Sequence, residues 1–422
     1  MKRPYQGYLL LAIVALAPVG LRVLTWPGPR QQAVDAGMAQ AGQTLFLHEW
    51  TPHDPLSQGG DGLGPVFNAR SCVACHHQGG AGGSGGLEHN VTTFTVQSVQ
   101  TGEMLREGVV HAHAVKYQET LAQVHPTLPA ISQPLLAQLV VLPGARIQPL
   151  HFPPGVHLSQ RNTPALFGAT LIDAIPDRLI IANERRQRLK WGLAPSSGER
   201  APVGRAVRLG DGRVGRFGWK GQTASLAEFV QAACANELGL GNPDHPQPRP
   251  LGKPDYEPAG LDLTLEQCNQ LTAFIDSLPR PVERLPDALS GDQAEAGKKL
   301  FQGIGCADCH TPAVGRVQGL YSDLLLHRMG QPLEGGGSYD GPPPQAPQLS
   351  PGEGPLPDEW RTPPLWGVAD SAPYLHDGRA ASLEEAIKLH AGQGAGAAQR
   401  YARLSSDKRA QVIAFLRTLR AP

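Results

Sequence analysis

The 422-residue sequence predicts a mainly α fold in which one helical unit occurs twice, wrapped in long loops and inserts with little β structure. Three observations predict it. The pattern Cys-x-x-Cys-His occurs twice, as Cys72-Val73-Ala74-Cys75-His76 and as Cys306-Ala307-Asp308-Cys309-His310. Segments with helical periodicity flank each copy in the same order. Gly 50 and Pro 40 are high, which favours loops over long regular elements.

Lys2 and Arg3 precede an apolar run from Tyr8 to Leu21, broken by Trp26-Pro27-Gly28-Pro29. The run is short for a membrane span and has the form of an export signal. Ala15-Leu16-Ala17 resembles a cleavage site, but Pro18 opposes cleavage, so an uncleaved N-terminal anchor is an equal expectation. Either way Lys2 and Arg3 stay inside and the body is exported. The expected location is the periplasm, soluble or anchored to the inner membrane. Residues 1–38 are assigned to signal or anchor plus linker.

The repeat begins at Ala41. Ala41-Gly42-Gln43-Thr44-Leu45-Phe46 leads into the first Cys pattern, and Ala296-Gly297-Lys298-Lys299-Leu300-Phe301 into the second. A closing helix ends each copy, with Thr264 or Ser405 as its N-cap. Its apolar stripe is Leu271, Phe274, Ile275 and Leu278 in one copy and Val412, Phe415, Leu416 and Leu419 in the other. Between them, Arg161 to Leu166 resembles Arg361 to Leu365, and Trp219 to Leu226 parallels His376 to Leu383. The expected domains are 39–285, enlarged by inserts at 79–86, 102–157 and 178–220, and 286–422, with a Gly/Pro loop at 335–357.

A Cys-x-x-Cys-His run is the covalent attachment signature of a c-type haem. The thiols bond to the porphyrin edge and the histidine takes one axial position on the iron. Zinc or a redox dithiol is the alternative for such cysteines, but the adjacent histidine favours haem. The sequence therefore predicts two cytochrome c-like haem domains and two covalently bound c-type haems. Balanced charge, 37 basic against 37 acidic residues, gives no indication of a nucleic-acid partner.

The second axial position decides what each iron does. A side-chain ligand makes an electron-transfer haem, and an open position makes a reactive one. His390 lies on the face of Leu383 and Ile387 and is the leading candidate for the second haem, with His327 and Met329 competing. The repeat register puts Ala233 at the equivalent place in the first copy, and alanine cannot ligate iron. Met104, His111, His113 and His125 remain candidates to fold over that iron. Cys234, one residue off, either pairs with Cys268 or stays a buried thiol. Glu237 is a candidate to move a proton on the open side, a surface glutamate at a helix end being the alternative. Trp219 is a candidate relay between haems or a plain core aromatic. Arg185, Arg186, Arg188 and Lys190 suggest a docking face or a solvated surface.

These motifs resemble the bacterial di-haem cytochrome c peroxidase superfamily, over about residues 40–420. Arg361 to Pro364 with Ala372-Pro373-Tyr374-Leu375-His376-Asp377-Gly378 carries the more specific likeness. Gly215 to Lys220 and Tyr321 to His327 resemble a branch of di-haem oxidoreductases or peroxidases. The resemblance implies peroxide chemistry at Cys72, Cys75 and His76, and electron transfer through Cys306, Cys309 and His310. It places Trp219 between the haems and Glu237 on the distal side of the first. The family's sixth ligand, Met or Tyr, falls here on His390, and bis-His ligation implies a lower potential than His/Met. The resemblance also implies calcium on the side-chain oxygen of Asn162 and the carbonyls of Ser371 and Pro373. Its implied partners are hydrogen peroxide and an electron-donor cytochrome or cupredoxin, with a homodimer as a further expectation. Peroxide-driven oxidation of a protein substrate, or simple electron carriage by two closed haems, are the alternative functions.

Overall fold

The computed structural model describes residues 35–102, 104–115, 154–192, 201–337 and 354–422. The N-terminal stretch expected as signal or anchor lies outside the described residues, and so does His125. Val34–Pro422 forms one compact unit. Helix outweighs strand. Among the described residues the helices are α1 (Ala36–Leu47), α2 (Cys72–Cys75), α3 (Ala169–Asp173), α4 (Asp177–Trp191), α5 (Leu226–Leu238), α6 (Leu265–Ser277), α7 (Gly291–Gly303), α8 (Leu383–Leu389), α9 (Ala395–Ala402) and α10 (Ser406–Leu416). None of them is long and apolar enough to cross a membrane.

Leading and closing helices pack in pairs, α1 on α6 and α7 on α10, and glycine sets both crossings. A Cβ at Gly42 would fall inside the backbone carbonyl of Gln270 and against Phe274; one at Gly297 would fall inside that of Gln411 and against Phe415. The helices therefore touch backbone to backbone. Behind each crossing a phenylalanine pair fills the core: Phe46 and Phe274 at 4.9 Å between ring centres, Phe301 and Phe415 at 5.3 Å. Thr264 and Ser405 cap their helices, accepting from Gln267 N–H and Lys408 N–H.

Strand content exceeds what the sequence predicted. Val91–Gln97 lies at the centre of a three-stranded antiparallel sheet, between Met104–Val110 and Val156–Arg161. The central strand is buried on both faces from Val91 to Thr95. Its β-branched run, Val91-Thr92-Thr93, therefore shows no two-residue alternation.

Candidate haem centres

The second Cys pattern folds as a tight turn, Cys306–Asp308, entered through Gly305 at φ 88°. His310 follows and donates from Nδ1 to the Tyr321 carbonyl at 2.9 Å. Opposite it, α8 stops at Leu389 and leaves His390 as the C-cap in an extended conformation. His390 donates from Nδ1 to the Ala386 carbonyl at 2.7 Å. The carbonyls fix the proton on Nδ1 in both rings, so each bare Nε2 is available to a metal. Burial pushes His310 down to about 4 and also lowers His390, so both rings stay neutral. Their centroids are 6.4 Å apart. Two imidazoles on one metal, each at a bond length of ~2 Å, put ring centres about 6 Å apart. The pair therefore fits a six-coordinate iron.

The competing residues are placed otherwise. His327 bonds through Nε2 to Asp323 at 2.8 Å, and its Nδ1 contacts Gln393 at 3.1 Å and Cys309 Sγ at 3.6 Å. Burial opposes a charge on His327, but Cys309 and Asp323 outweigh it and hold its pKa well above the usual value. Met329 packs next to His390 across Gly394, where a Cβ would meet His390 at 3.1 Å and Met329 Cε at 3.2 Å.

A cavity of ≈ 490 Å³ runs beside this turn, and both repeats line it. Leu166, Phe217 and Leu226 face it from the first copy, and Leu365, Tyr374 and Leu383 from the second. The same β-bridge occurs in each copy, Phe217 with Thr223 and Tyr374 with Ala380. Ser225 and Ser382 each cap the following helix through the N–H three residues on. These matches hold the register that aligns Ala233 with His390.

At the first centre α2 carries both cysteines of the motif, and Ser71 caps it, accepting from Ala74 N–H at 3.2 Å. His76 donates from Nδ1 to the Gly83 carbonyl at 3.1 Å, and burial pushes it down to about 4. Phe46 stands 6.3 Å from His76, as Phe301 stands 6.4 Å from His310. Unlike α8, α5 runs on through Ala233 to Leu238 and ends at Gly239, φ 63°. The extra turn holds Glu237. Its Oε2 accepts from Asn68 Nδ2 at 2.8 Å, and its carbonyl accepts from Asn68 N–H at 2.7 Å. Asn68 lines an open cleft over α2, together with Ala74, His89 and His113. Burial, and after it the charge of Glu237, raises the Cys75 thiol.

Of the other candidates for the first iron, His111 is buried with Nε2 on the Asn236 carbonyl at 3.1 Å. His113 is exposed and packs on Phe67 at 5.4 Å. Met104 lies in a strand, and its side chain is outside the described residues. Cys234 and Cys268 are both buried free thiols, so the expected alternative of a disulfide is not formed. Burial raises both, Cys268 to about 12.

Trp219 sits where the copies meet. Its Nε1 donates to the Asn162 carbonyl at 2.9 Å, and its ring meets His376 edge-on at 6.5 Å. His376 in turn stacks on Trp360 at 3.7 Å and 15°, a pairing that no sequence motif signalled. The backbone bonds are reciprocal: Asn162 N–H donates to His376 O at 2.7 Å and Arg361 N–H to Trp219 O at 2.9 Å. Asn162 and Pro373 come together around Gly378, where a Cβ would meet Pro373 at 2.9 Å and Asn162 Nδ2 at 3.3 Å. That amide nitrogen donates to Gly85 O at 3.3 Å and Asn90 Oδ1 at 3.1 Å. Ser371, the third implied calcium residue, donates through Oγ to Val368 O at 3.3 Å. On α4, Arg188 pairs with Glu184 at 2.8 Å and Lys190 with Asp308 of the second Cys pattern at 2.5 Å, while Arg185 and Arg186 are exposed.

Two histidines on Cys-anchored turns, each backed by the same phenylalanine-filled helix crossing, define a di-haem redox protein. The family described as "Di-haem oxidoreductase, putative peroxidase" matches residues 146–419, and the chain belongs to it. Cytochrome c551 peroxidase of Nitrosomonas europaea is 31% identical over 217 residues, 48% of this chain and 60% of that protein. The chain thus spans less than two thirds of that relative. Among solved structures, hydrazine synthase of Kuenenia stuttgartiensis aligns over 99% of this chain and 100% of that one, at 14% identity and TM-score 0.40. The diheme peroxidase BthA of Burkholderia thailandensis aligns over 91% and 86%, at 14% identity and TM-score 0.41.

Proposed function

We propose that this protein is an exported peroxidase that reduces hydrogen peroxide at the Cys72–His76 centre with electrons passed through the Cys306–His310 centre. The observation that carries the reading is the asymmetry at one register position: His390 faces His310 at 6.4 Å, while the first copy has Ala233. Cys72 and Cys75 would hold one haem and Cys306 and Cys309 the other, His310 and His390 would both offer Nε2 to the second, and the haems would supply the redox chemistry. His76, neutral and oriented by Gly83, would hold the first haem through its bare Nε2. Glu237, anchored by Asn68 at the cleft, moves the proton between the peroxide oxygens. Trp219, bonded to Asn162 and edge-on to His376, relays electrons between the copies. Asn162, Ser371 and Pro373 offer the oxygen ligands calcium prefers at the same junction. An electron-donor cytochrome or cupredoxin supplies the reductant in the periplasm.

The test is spectroscopic. Ferric protein should give one high-spin and one low-spin haem, and the high-spin signal should change within the mixing time on adding peroxide. Two low-spin haems that ignore peroxide would overturn the proposal.

A further inference from the structure

The mechanism above leaves unused a buried cluster beside Trp219. Trp360, His376, Lys220 and Arg161 are all at least nine-tenths buried. Lys220 Nζ lies 4.0 Å over the Trp360 ring, and the Arg161 guanidinium lies 4.6 Å from the same ring. Lys220 donates to three backbone carbonyls, those of Leu356, Pro357 and Glu359, each at 2.9 Å. Burial, then the Arg161 charge, pull Lys220 down to about 6, and Glu359, Asp358 and Glu334 oppose the fall. The three carbonyl acceptors favour the ammonium form, which alone has three N–H bonds to give them, and on that geometry Lys220 is taken as charged. Trp360 thus faces two fixed cations, with the His376 ring stacked against it.

We propose that Lys220 and Arg161 insulate the Trp360–His376 stack, raising the oxidation potential of Trp360 so that an oxidising equivalent at Trp219 does not leak into it. The physical ground is Coulombic. Removing an electron from an indole ring creates a third positive charge within a few ångström of two others, in a site remote from water. The same cations favour the neutral ring, whose face is electron-rich.

This inference rests on the peroxidase reading. Each peroxide takes two electrons and two protons to give two waters. When donor electrons are absent, one electron drawn from Trp360 would leave a radical cation there. Its Nε1–H would stay bonded to the Leu333 carbonyl, which cannot take the proton. The leak is therefore an unassisted one-electron loss, and the cations oppose it.

The experiment compares wild type, Lys220→Met and Lys220→Arg holoprotein in two arms, quantifying oxidised Trp360 and Trp219 peptides by mass spectrometry. One arm uses hydrogen peroxide without donor. The other uses a photosensitised ruthenium polypyridyl oxidant, which needs no turnover. Lys220→Met should raise Trp360 oxidation at least fivefold in the photo-oxidant arm and leave Trp219 within twofold; Lys220→Arg should stay near wild type. An unchanged Trp360 yield in Lys220→Met overturns the insulation. A rise in that arm, with peroxide inert towards every variant, sinks the peroxidase reading and leaves the insulation standing. If Lys220→Met does not fold, Trp360→Phe decides: inter-haem electron exchange within twofold of wild type supports an insulated ring, and a tenfold loss overturns it.

Discussion

Replacing Gly297 with alanine tests the helix crossing that the two copies share. The new methyl would land inside the Gln411 carbonyl and 3.0 Å from Phe415 Cβ, so α7 and α10 must part. Overpacking costs about 1–3 kcal/mol, and a backbone carbonyl yields less than a side-chain tip, which selects the upper half. Alanine recovers about 1 kcal/mol of helix propensity over glycine, leaving a net loss of about 1–2 kcal/mol. Gly303 ends the same helix with no atom within 4 Å of its notional Cβ. Gly303→Ala should therefore be neutral or stabilising by up to about 1 kcal/mol. Urea unfolding of the holoprotein, followed by circular dichroism and by haem absorption, reads both. Because Phe301 links the crossing to His310, Gly297→Ala should also perturb the low-spin band, while Gly42→Ala should perturb the high-spin one. A Gly297→Ala protein as stable as Gly303→Ala would refute the reasoning, since propensity alone would then have decided.

Three further outcomes are expected. His390→Ala should convert the second haem to high spin, seen by electron paramagnetic resonance; persistence of the low-spin signal would pass the role to Met329, its neighbour across Gly394. Trp219→Phe removes the Nε1 bond to Asn162 and should slow inter-haem electron transfer at least tenfold in stopped-flow reduction with both haems retained; unchanged kinetics would remove it from the route. The third concerns pH. Burial opposes the Glu359 charge, but Arg205, at 2.8 and 2.6 Å, and the Leu356 N–H outweigh it and hold the carboxyl below its ordinary pKa. Because the folded value is the lower one, the stabilisation is fully present above the unfolded value of about 4.3 and is lost as pH falls through the folded one. Glu359→Gln should thus be less stable than wild type at neutral pH, with the gap closing on acidification; a gap constant with pH would contradict the pairing.

The parts of this fold visible in the sequence are those fixed by local pattern. Gly42 and Gly297 stand at one register of a helical repeat, and Phe274 and Phe415 recur on one stripe, so the paired crossings were legible. The match of Trp219 to Leu226 with His376 to Leu383 gave the register that sets Ala233 against His390, and the structure keeps it with a serine cap in each copy. The sheet was not legible, because Val156–Arg161 pairs with Val91–Gln97 across a long insert. Nor was the Trp360–His376 stack, which depends on two loops meeting and on no spacing within either. His327 competed with His390 as a ligand in sequence; its bond to Asp323, four residues upstream, was not signalled there. Lys190, read as part of a surface face, reaches Asp308 inside the second Cys pattern.

The reciprocal bonds at Trp219 and His376 have the symmetry of an isologous contact, in which a surface patch meets its own copy. Here both patches belong to one polypeptide, and the exchange matches to within one residue of the repeat register. Two identical subunits in such a pair would be bound to change together. Enclosed in one chain, each copy is free to mutate alone, and a tandem duplication can therefore keep a histidine at position 390 while holding an alanine at position 233.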